Sequence, residues 1–278
     1  EIAKNIGRGL AEDAVAVKVN GNLKDLDAAI TEDASLQIVT LSDKEGLEAL
    51  RHSMAHLLAA AVMELWPDTK RTIGPAIENG FYYDFEFSNQ ISEKDLPKIE
   101  AKMREILPKW DKFTRYELTA SEAKAEYPNN PYKQELIDEF SKGGKKVSFY
   151  KSGAYVDLCK GGHVYSMKKI KPDSFRLTHI AGAYWRGSEK NPMLQRIYGT
   201  AWPTQDELNA YLELLAEAEK RDHRRLGTEL DLFSFPEEIG SGLAVFHPKG
   251  GIIRRAMEDY SRKRHEDEGY EFVYSPHL

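Results

Sequence analysis

The stretch SDKEGLEALRHSMAHLLAAAVMELW, residues 42–66, determines the predicted fold of the middle of the chain. Ser42 and Glu45 have the spacing of a capping box, which predicts that a helix begins there, and Pro67 stops it. Apolar side chains recur at helical spacing and indicate one buried face. They are Leu47, Leu50, Met54, Leu57, Leu58, Ala61 and Leu65.

The opposite face of this helix carries small residues and two imidazoles, where a solvated face would carry Lys and Glu. It consists of Ala49, His52, His56, Ala59, Ala60 and Met63. Because His52 and His56 are four residues apart, their side chains project together. This face is therefore predicted to bind a ligand or to pack closely against another segment.

A second cluster, DLCKGGH at residues 157–163, has a matching pattern. Its two glycines favour a turn that brings Cys159 and His163 to one point, and two His, one Cys and a third His form an acceptable zinc set. A helical His pair is more often packing or surface decoration, and a lone Cys is usually an inert apolar residue. A metalloprotease is excluded, since Ser53 stands where that motif has Glu.

Outward from these two clusters, periodicity and turn residues predict the other elements. We expect helices over 2–10 (ended by Gly7 or Gly9), 92–110, 120–127, 204–225 (capped by Thr204 and ended by Gly227) and 252–265. We expect strands over 14–19, 36–40, 71–87 (broken at Gly74-Pro75 and Asn79-Gly80), 147–159, 174–186, 194–201 and 270–274, with a short apolar segment at 230–235.

Length and composition limit the class of protein. The 278 residues allow two or three domains, and 41% apolar residues suffice for their cores. There is no signal peptide and no apolar run that could cross a bilayer, and one cysteine indicates a reducing compartment, so we expect a cytoplasmic location. The net charge of −6 argues weakly against nucleic acid, although basic runs occur at 142–151, 168–176 and 220–225.

Five segments resemble threonyl-tRNA synthetases. Residues 51–57 (RHSMAHL) look like the first motif of the editing domain that threonyl- and alanyl-tRNA synthetases share. The threonyl type is resembled by IGP at 73–75 with NGFYYD at 79–84, by GAYWRG at 182–187, by QRIYGTAW at 195–202 and by KRDHRRLG at 220–227.

The resemblance implies an α+β multidomain chain. Residues 1–40 correspond to a partial ubiquitin-like β-grasp module, called TGS, that lacks its first strands, and 41–203 to the editing domain. Residues 204–227 correspond to a linker helix and 228–278 to the start of a class II catalytic domain, with HPKGG at 247–251 and Pro276 in its first motif. Such a fragment is expected not to aminoacylate tRNA; ATP, Mg, a catalytic-domain zinc and a homodimer are expected only for the full-length parent.

The implied function is hydrolysis of mischarged seryl-tRNA(Thr), with tRNA(Thr), serine and threonine as partners. The implied roles are His52 as general base, His56 orienting water or ribose, Lys133 stabilising the oxyanion or protonating the leaving group, Asp157 and Tyr83 binding substrate, and Cys159 and His163 completing the pocket. Threonyl-type relatives work here without metal and alanyl-type relatives use zinc. We expect no metal, with zinc on His52, His56, Cys159 and His163 as the alternative.

Two positions depart from the family's motif. Two other functions also stay open. Lys160 and Gly162 stand where the family motif Cys-Arg-Gly-Pro-His has Arg and Pro. The chain could instead be a free-standing, alanyl-type trans-editing hydrolase, which would have no use for the linker helix and the class II motif. It could also be a non-catalytic RNA-binding fragment.

Overall fold

The computed structural model describes residues 1–240 and 242–275. It divides into two compact units, Glu1–Asn209 and Ala210–Leu278. Helices and strands are mixed throughout the chain, which confirms the α+β class. Within the described residues, no helix is both long and apolar enough to cross a membrane.

The helices and strands are numbered in chain order. The helices are α1 Ile2–Ile6, α2 Arg8–Asp13, α3 Lys44–Leu65, α4 Leu96–Ile106, α5 Ala120–Ala125, α6 Pro131–Phe140, α7 Gln205–Lys220, α8 His223–Glu229 and α9 Pro248–Asp267. The strands are β1 Ala14–Val19, β2 Asn22–Lys24, β3 Leu36–Thr40, β4 Lys70–Arg71, β5 Ala76–Ile77, β6 Gly80–Glu86, β7 Thr114–Leu118, β8 Val147–Ser152, β9 Tyr155–Leu158, β10 Phe175–Tyr184, β11 Met193–Ala201, β12 Phe233–Ser234 and β13 Val245–Phe246.

The first forty residues form a three-stranded antiparallel sheet in the order β2-β1-β3. The helix predicted over 2–10 is broken at Gly7 into α1 and α2, and β2 was not predicted. Val15 and Val39 belong to the same buried core as α3, and Tyr165 donates its backbone N–H to the Val15 carbonyl at 2.9 Å. The module is therefore packed into the rest of the first unit.

Helix α3 crosses the core of the first unit with Leu50, Met54 and Leu58 fully buried, as its apolar face predicts. It ends just before Pro67, also as predicted. Its start differs, because the residue at the N-cap is Asp43. The Asp43 carboxylate accepts hydrogen bonds from the backbone and hydroxyl of Thr40, at 2.7 and 3.0 Å, so the predicted Ser42 capping box is wrong.

Two sheets complete the first unit. The larger has the order β10-β11-β6-β4 with β5 beside β6, and the breaks predicted at Gly74-Pro75 and Asn79-Gly80 are confirmed. The smaller has the order β7-β8-β9; residues 147–159 form a hairpin rather than one strand, turning at Gly153 with a φ of +59°.

Two elements of the smaller sheet's layer were missed by the sequence analysis. Strand β7 pairs with β8, and helix α6 follows the short helix α5. Asn130 caps α6 by accepting the Lys133 backbone N–H at 3.1 Å, and Pro131 occupies its first turn. The start of α6 places Lys133 in the protein interior.

The second unit contains the end of α7, then α8, β12, β13 and α9. The predicted cap of α7 is confirmed, since the Glu207 carboxylate accepts the Thr204 N–H at 3.0 Å and the Thr204 hydroxyl accepts the Glu207 N–H at 3.2 Å. A single helix to residue 225 is wrong: α7 ends at Lys220, and Gly227 lies inside α8. The strand predicted over 270–274 is also wrong, and Pro276 lies outside the described residues.

Candidate active site

A pocket of about 500 Å³ opens where α3, the start of α6 and the turn after β9 meet. The polar side chains that face it come from distant parts of the sequence. They include His52, His56, Tyr83, Lys133, Asp157 and Cys159, all predicted site residues. His163 lies directly behind Cys159, within hydrogen-bonding distance.

Four of these side chains form a compact group, which we call the thiol–imidazole tetrad: His52, His56, Cys159 and His163. The Cys159 Sγ lies 3.3 Å from His52 Nε2 and 3.4 Å from His163 Nε2. The two helical imidazoles face each other with their Nε2 atoms 3.2 Å apart. The two motifs found separately in the sequence therefore meet at one point.

The turn that follows Cys159 depends on its two glycines. Gly161 has a φ of +101° and Gly162 a φ of +86°, and the Gly161 N–H donates to the Cys159 sulfur at 3.4 Å. The ring of a proline fixes φ near −65°. Glycine at 162, in place of the family's proline, therefore gives this turn a conformation that proline cannot adopt.

Ser53 ties helix α3 to this turn. Its hydroxyl donates to the Ala49 carbonyl at 2.8 Å and accepts the Val164 N–H at 3.0 Å, and the side chain is fully buried. On the other side, the Phe113 ring stacks on His163 with centroids 4.1 Å apart. In the sequence, Ser53 is notable only because it stands where a metalloprotease motif would have Glu, and no pattern there indicates this structural role.

Behind the tetrad lies a buried group that we call the Asp157 cluster, formed by Asp157, Lys133, Arg71, Tyr83, Tyr127 and Tyr155. The Asp157 carboxylate accepts hydrogen bonds from the three tyrosine hydroxyls at 2.6 to 2.9 Å. The Lys133 ammonium lies 2.7 Å from Asp157 Oδ1, and the Arg71 guanidinium lies 3.5 Å from the same oxygen. Arg71, Tyr127 and Tyr155 had no recognisable signal in the sequence.

Burial and charge act in opposite directions on the pKa values of this cluster. Burial alone would raise the pKa of Asp157, but Lys133 and Arg71 hold it well below the ordinary range. Burial lowers the pKa of Lys133, with Asp157 opposing that shift. Burial raises the pKa of Tyr83 well above its ordinary value, so its hydroxyl remains a proton donor to Asp157.

Burial and neighbouring charges also act in opposite directions on the pKa values of the tetrad. Burial would raise the pKa of the Cys159 thiol, but the charges of His52 and His56 and the hydrogen bond from His163 bring it well below its ordinary value. Burial would lower the pKa of His56, yet Cys159 and Asp157 raise it to about 9. Burial lowers the pKa of His163 to about 4. These shifts favour a thiolate at Cys159, an imidazolium at His56 and a neutral imidazole at His163.

The tetrad also fits a zinc ion by chemistry and spacing. Its four donor atoms all lie within 4.8 Å of one another, and the contacts of 3.2 to 3.4 Å approach the roughly 3.3–3.6 Å edges of a tetrahedral zinc site. Metal-bound imidazoles usually donate their second N–H to a neighbour. His56 Nδ1 lies 3.5 Å from Asp157 Oδ2, at ion-pair distance. Within the described residues, neither this atom nor His163 Nδ1 has a hydrogen-bond partner, and both are buried.

Comparison with known proteins links both parts of the first unit to one family. Residues 1–40 match the TGS domain, and residues 147–198, which contain Cys159 and His163, match the "Threonyl and Alanyl tRNA synthetase second additional domain". A threonine–tRNA ligase of Streptomyces coelicolor is 53% identical over 95% of this chain. Those of Citrifermentans bemidjiense and Rubrobacter xylanophilus are each 50% identical over 100% of it. The chain spans 42–43% of the length of these relatives.

Proposed function

Because this chain belongs to the threonine–tRNA ligase family, as an N-terminal part of it, we propose that its pocket hydrolyses the ester of mischarged seryl-tRNA(Thr). The observation that carries the proposal is the thiol–imidazole tetrad at an open pocket, with a buried lysine–aspartate pair directly behind it. Ester hydrolysis needs an activated water and a group that stabilises developing negative charge. The pocket has candidates for both.

The need for such a reaction follows from the chemistry of the amino acids. Serine keeps the hydroxyl of threonine and lacks only a methyl group, which is worth about 1–3 kcal/mol of discrimination in a binding site. That difference is too small for accurate aminoacylation. A second pocket that admits serine esters and excludes the extra methyl group of threonine would remove the error.

His52 is the proposed general base. Its Nε2 lies beside both Cys159 and His56, and the side chain lines the open pocket, where a water can reach it. His56, with a pKa near 9, is proposed to act as a hydrogen-bond donor that orients the water or the ribose. The Cys159 thiolate and His163 would hold these imidazoles in place and stabilise the positive charge.

Lys133 is the proposed stabiliser of the oxyanion or general acid. Its ammonium lies 2.7 Å from Asp157 Oδ1 and 3.3 Å from the Tyr83 hydroxyl, and burial lowers its pKa. An ammonium group so placed can stabilise the oxyanion or give a proton to the leaving ribose oxygen. Both oxygens of Asp157 already accept hydrogen bonds, so we assign it to holding Lys133 and Tyr83. Its predicted contact with the substrate's ammonium group stays a prediction.

We propose that the reaction proceeds on protein side chains alone, as expected from the threonyl type. If the tetrad held zinc, the ion would supply a Lewis acid and a more acidic bound water. Metal analysis of the purified chain and deacylation in the presence of a chelator decide between the two. We expect no stoichiometric zinc and full activity in chelator; a zinc whose removal abolishes hydrolysis contradicts the proposal.

The decisive experiment compares deacylation of seryl-tRNA(Thr) with deacylation of threonyl-tRNA(Thr) by this chain. We expect serine to be released much faster than threonine. Preferential attack on mischarged tRNA(Ala) would instead indicate an alanyl-type trans-editing hydrolase, and release from none of the substrates would indicate a non-catalytic RNA-binding module. ATP, Mg, a catalytic-domain zinc and a homodimer stay predictions about the full-length parent. A cytoplasmic location stays a prediction about this chain.

A further inference from the structure

Arg71 connects the two sheets of the first unit beside the Asp157 cluster. It lies in β4 of the larger sheet, and its guanidinium donates to the Val156 carbonyl in β9 of the smaller sheet at 2.6 Å. The guanidinium carbon also lies 4.8 Å from the ring centroid of Tyr155 and 5.3 Å from that of Tyr127. These contacts hold a planar cation in one orientation next to Asp157.

The backbone of Arg71 reaches the start of α6 through one buried side chain, that of Asn130. The Arg71 carbonyl accepts a hydrogen bond from the Asn130 amide at 2.8 Å. Asn130 Oδ1 accepts the Lys133 N–H at 3.1 Å and so caps α6. Both ends of this amide are therefore used, one on β4 and one on α6. The bridge fixes the backbone of Lys133 relative to that of Arg71.

The side chain of Arg71 reaches the other end of the same lysine. Arg71 Nε and the Lys133 ammonium lie 3.5 and 2.7 Å from one oxygen atom, Asp157 Oδ1. Two cations therefore share one buried carboxylate oxygen. Because the guanidinium is fixed by its own contacts, it restricts the carboxylate, and the carboxylate restricts the ammonium group.

Arg71 also changes the electrostatic environment of Lys133. Burial lowers the pKa of this lysine, Asp157 opposes that shift, and repulsion from Arg71 adds to it. A lysine that holds its proton less tightly is a better acid toward a leaving ribose oxygen near neutral pH. The titratable and charged groups that face Lys133 are Arg71, Tyr83, Tyr127, Asp157 and Cys159.

We propose that Arg71 is a positioning residue for Lys133, which it holds by the backbone through Asn130 and by the ammonium group through Asp157. The consequence for hydrolysis rests on the proposed function. Arg71 lies outside the described lining of the active-site pocket, so it acts through Lys133 rather than on the ester. A displacement of a reacting group by about 1 Å can cost about 10²-fold in rate. Loss of Arg71 is therefore expected to lower kcat while substrate binding is kept.

The test replaces Arg71 in two ways and uses a second arginine as the control. Arg71→Met removes the charge and keeps an unbranched apolar side chain, whereas Arg71→Lys keeps the charge and loses the planar fork. The control is Arg104→Met, in α4. Arg104 also pairs with a buried carboxylate, that of Glu100 at 2.9 Å, and donates to the Pro172 carbonyl at 3.0 Å. It likewise contacts an aromatic ring, that of Phe175, at 4.9 Å.

With seryl-tRNA(Thr), we expect Arg71→Met to lower kcat about 10–100-fold and to leave KM within about twofold of the parent value. Arg71→Lys should have a kcat between these two, and Arg104→Met should leave both constants unchanged. Urea denaturation shows whether each variant is folded, and Arg71→Lys carries the test if Arg71→Met is not. An unchanged kcat at position 71, or an equal fall in Arg104→Met, overturns the inference.

The protonation of Lys133 provides a measurement that does not depend on hydrolysis. In a chain with isotope-labelled lysine, the Nζ resonance of Lys133 is identified by its absence in Lys133→Met and is followed against pH. We expect a pKa below the ordinary lysine value in the parent chain and a higher pKa in Arg71→Met, because the repulsion is lost. Arg71→Lys and Arg104→Met should keep the parent value. An unchanged pKa in Arg71→Met, or an equal rise in Arg71→Lys from entry of water alone, overturns the inference.

Asn130→Ser tests the backbone bridge separately from the charge. A serine hydroxyl can still cap α6, but it lacks the amide that reaches the Arg71 carbonyl. We expect kcat to fall about tenfold with the pKa of Lys133 unchanged, since every charge stays in place. A normal kcat in this variant contradicts the bridge. If the parent chain releases no serine, the proposed function fails, and the pKa comparison still decides whether Arg71 acts on Lys133.

Discussion

The thiol–imidazole tetrad and the Asp157 cluster share one pocket, but they differ in their exposure to water. In the tetrad, His52 and Cys159 are partly exposed and line the opening. In the Asp157 cluster, Asp157 and Lys133 are 1% and 2% exposed, and their charges are balanced by each other. Exposed reactive groups can be changed without loss of the fold, whereas removing one partner of a buried ion pair strongly lowers the free energy of unfolding. The tetrad is therefore expected to determine the rate of hydrolysis. The Asp157 cluster is expected to determine both this rate and the stability of the fold.

The largest effect is expected from Asp157→Ala. It leaves the buried ammonium of Lys133 and the guanidinium of Arg71 without a counter-charge, which costs about 3–5 kcal/mol of unfolding free energy. Urea denaturation measures this loss. The control Tyr155→Phe removes one hydrogen bond to the same carboxylate and keeps every charge, so it should cost only about 1 kcal/mol. Equal losses in the two variants would mean that the ion pair is not what stabilises this half of the site.

His52→Ala tests the other half of the comparison. Removal of a general base is expected to lower kcat for seryl-tRNA(Thr) by about 10²–10⁴-fold. The unfolding free energy should change by less than about 1 kcal/mol, because the side chain is only half-buried. Cys159→Ala should also lower kcat while the fold stays intact. His223→Ala, at an exposed position in the second unit, is the control and should leave both quantities unchanged. Normal turnover by His52→Ala would remove this imidazole from the site.

The sequence predicted the tetrad better than the cluster, and the reason is local geometry. His52 and His56 share a helix face, and Cys159 and His163 share a glycine turn. Each pair is therefore brought together by its short separation along the chain. Arg71 and Tyr127 come from separate segments and meet Asp157 only after folding. No residue spacing in the sequence predicts these contacts. The resemblance to a family supplied Lys133, but not its burial at the start of α6.

The fold shows the same division between local and long-range information. The cap of α7 and the strand breaks before β6 were predicted correctly because capping residues and Gly-Pro pairs act locally. Residues 270–274 have high strand propensity, but they pair with no strand in the described part of the second unit. Propensity for strands is realised only where a partner is available, so that prediction failed.

Gly161→Ala is expected to have a smaller effect, at the turn that joins the two halves of the site. A Cβ atom there would lie 2.3 Å from the Tyr150 hydroxyl oxygen, at a φ of +101°. We expect a loss of about 1–3 kcal/mol in stability and a lower kcat, since the turn positions Cys159. Gly162→Ala has a similar positive φ but meets only Leu23, at 3.8 Å, and so measures the backbone strain alone. If the two variants lose the same stability, the contact with Tyr150 is unimportant.

The smallest effect is expected from Tyr150→Phe, and it sharpens the preceding comparison. The variant removes the hydroxyl that donates to Asp25 at 3.1 Å, which should cost about 1 kcal/mol, with Tyr116→Phe in β7 as the control. It also removes the atom that a Cβ at position 161 would approach most closely. The two changes should therefore be non-additive, as expected for residues in contact. In a double-mutant cycle of unfolding free energies, Gly161→Ala should cost about 1 kcal/mol less in the Tyr150→Phe background than in the parent chain. Strict additivity would show that the turn avoids the clash by shifting away from Tyr150, so that this hydroxyl does not limit the space at position 161.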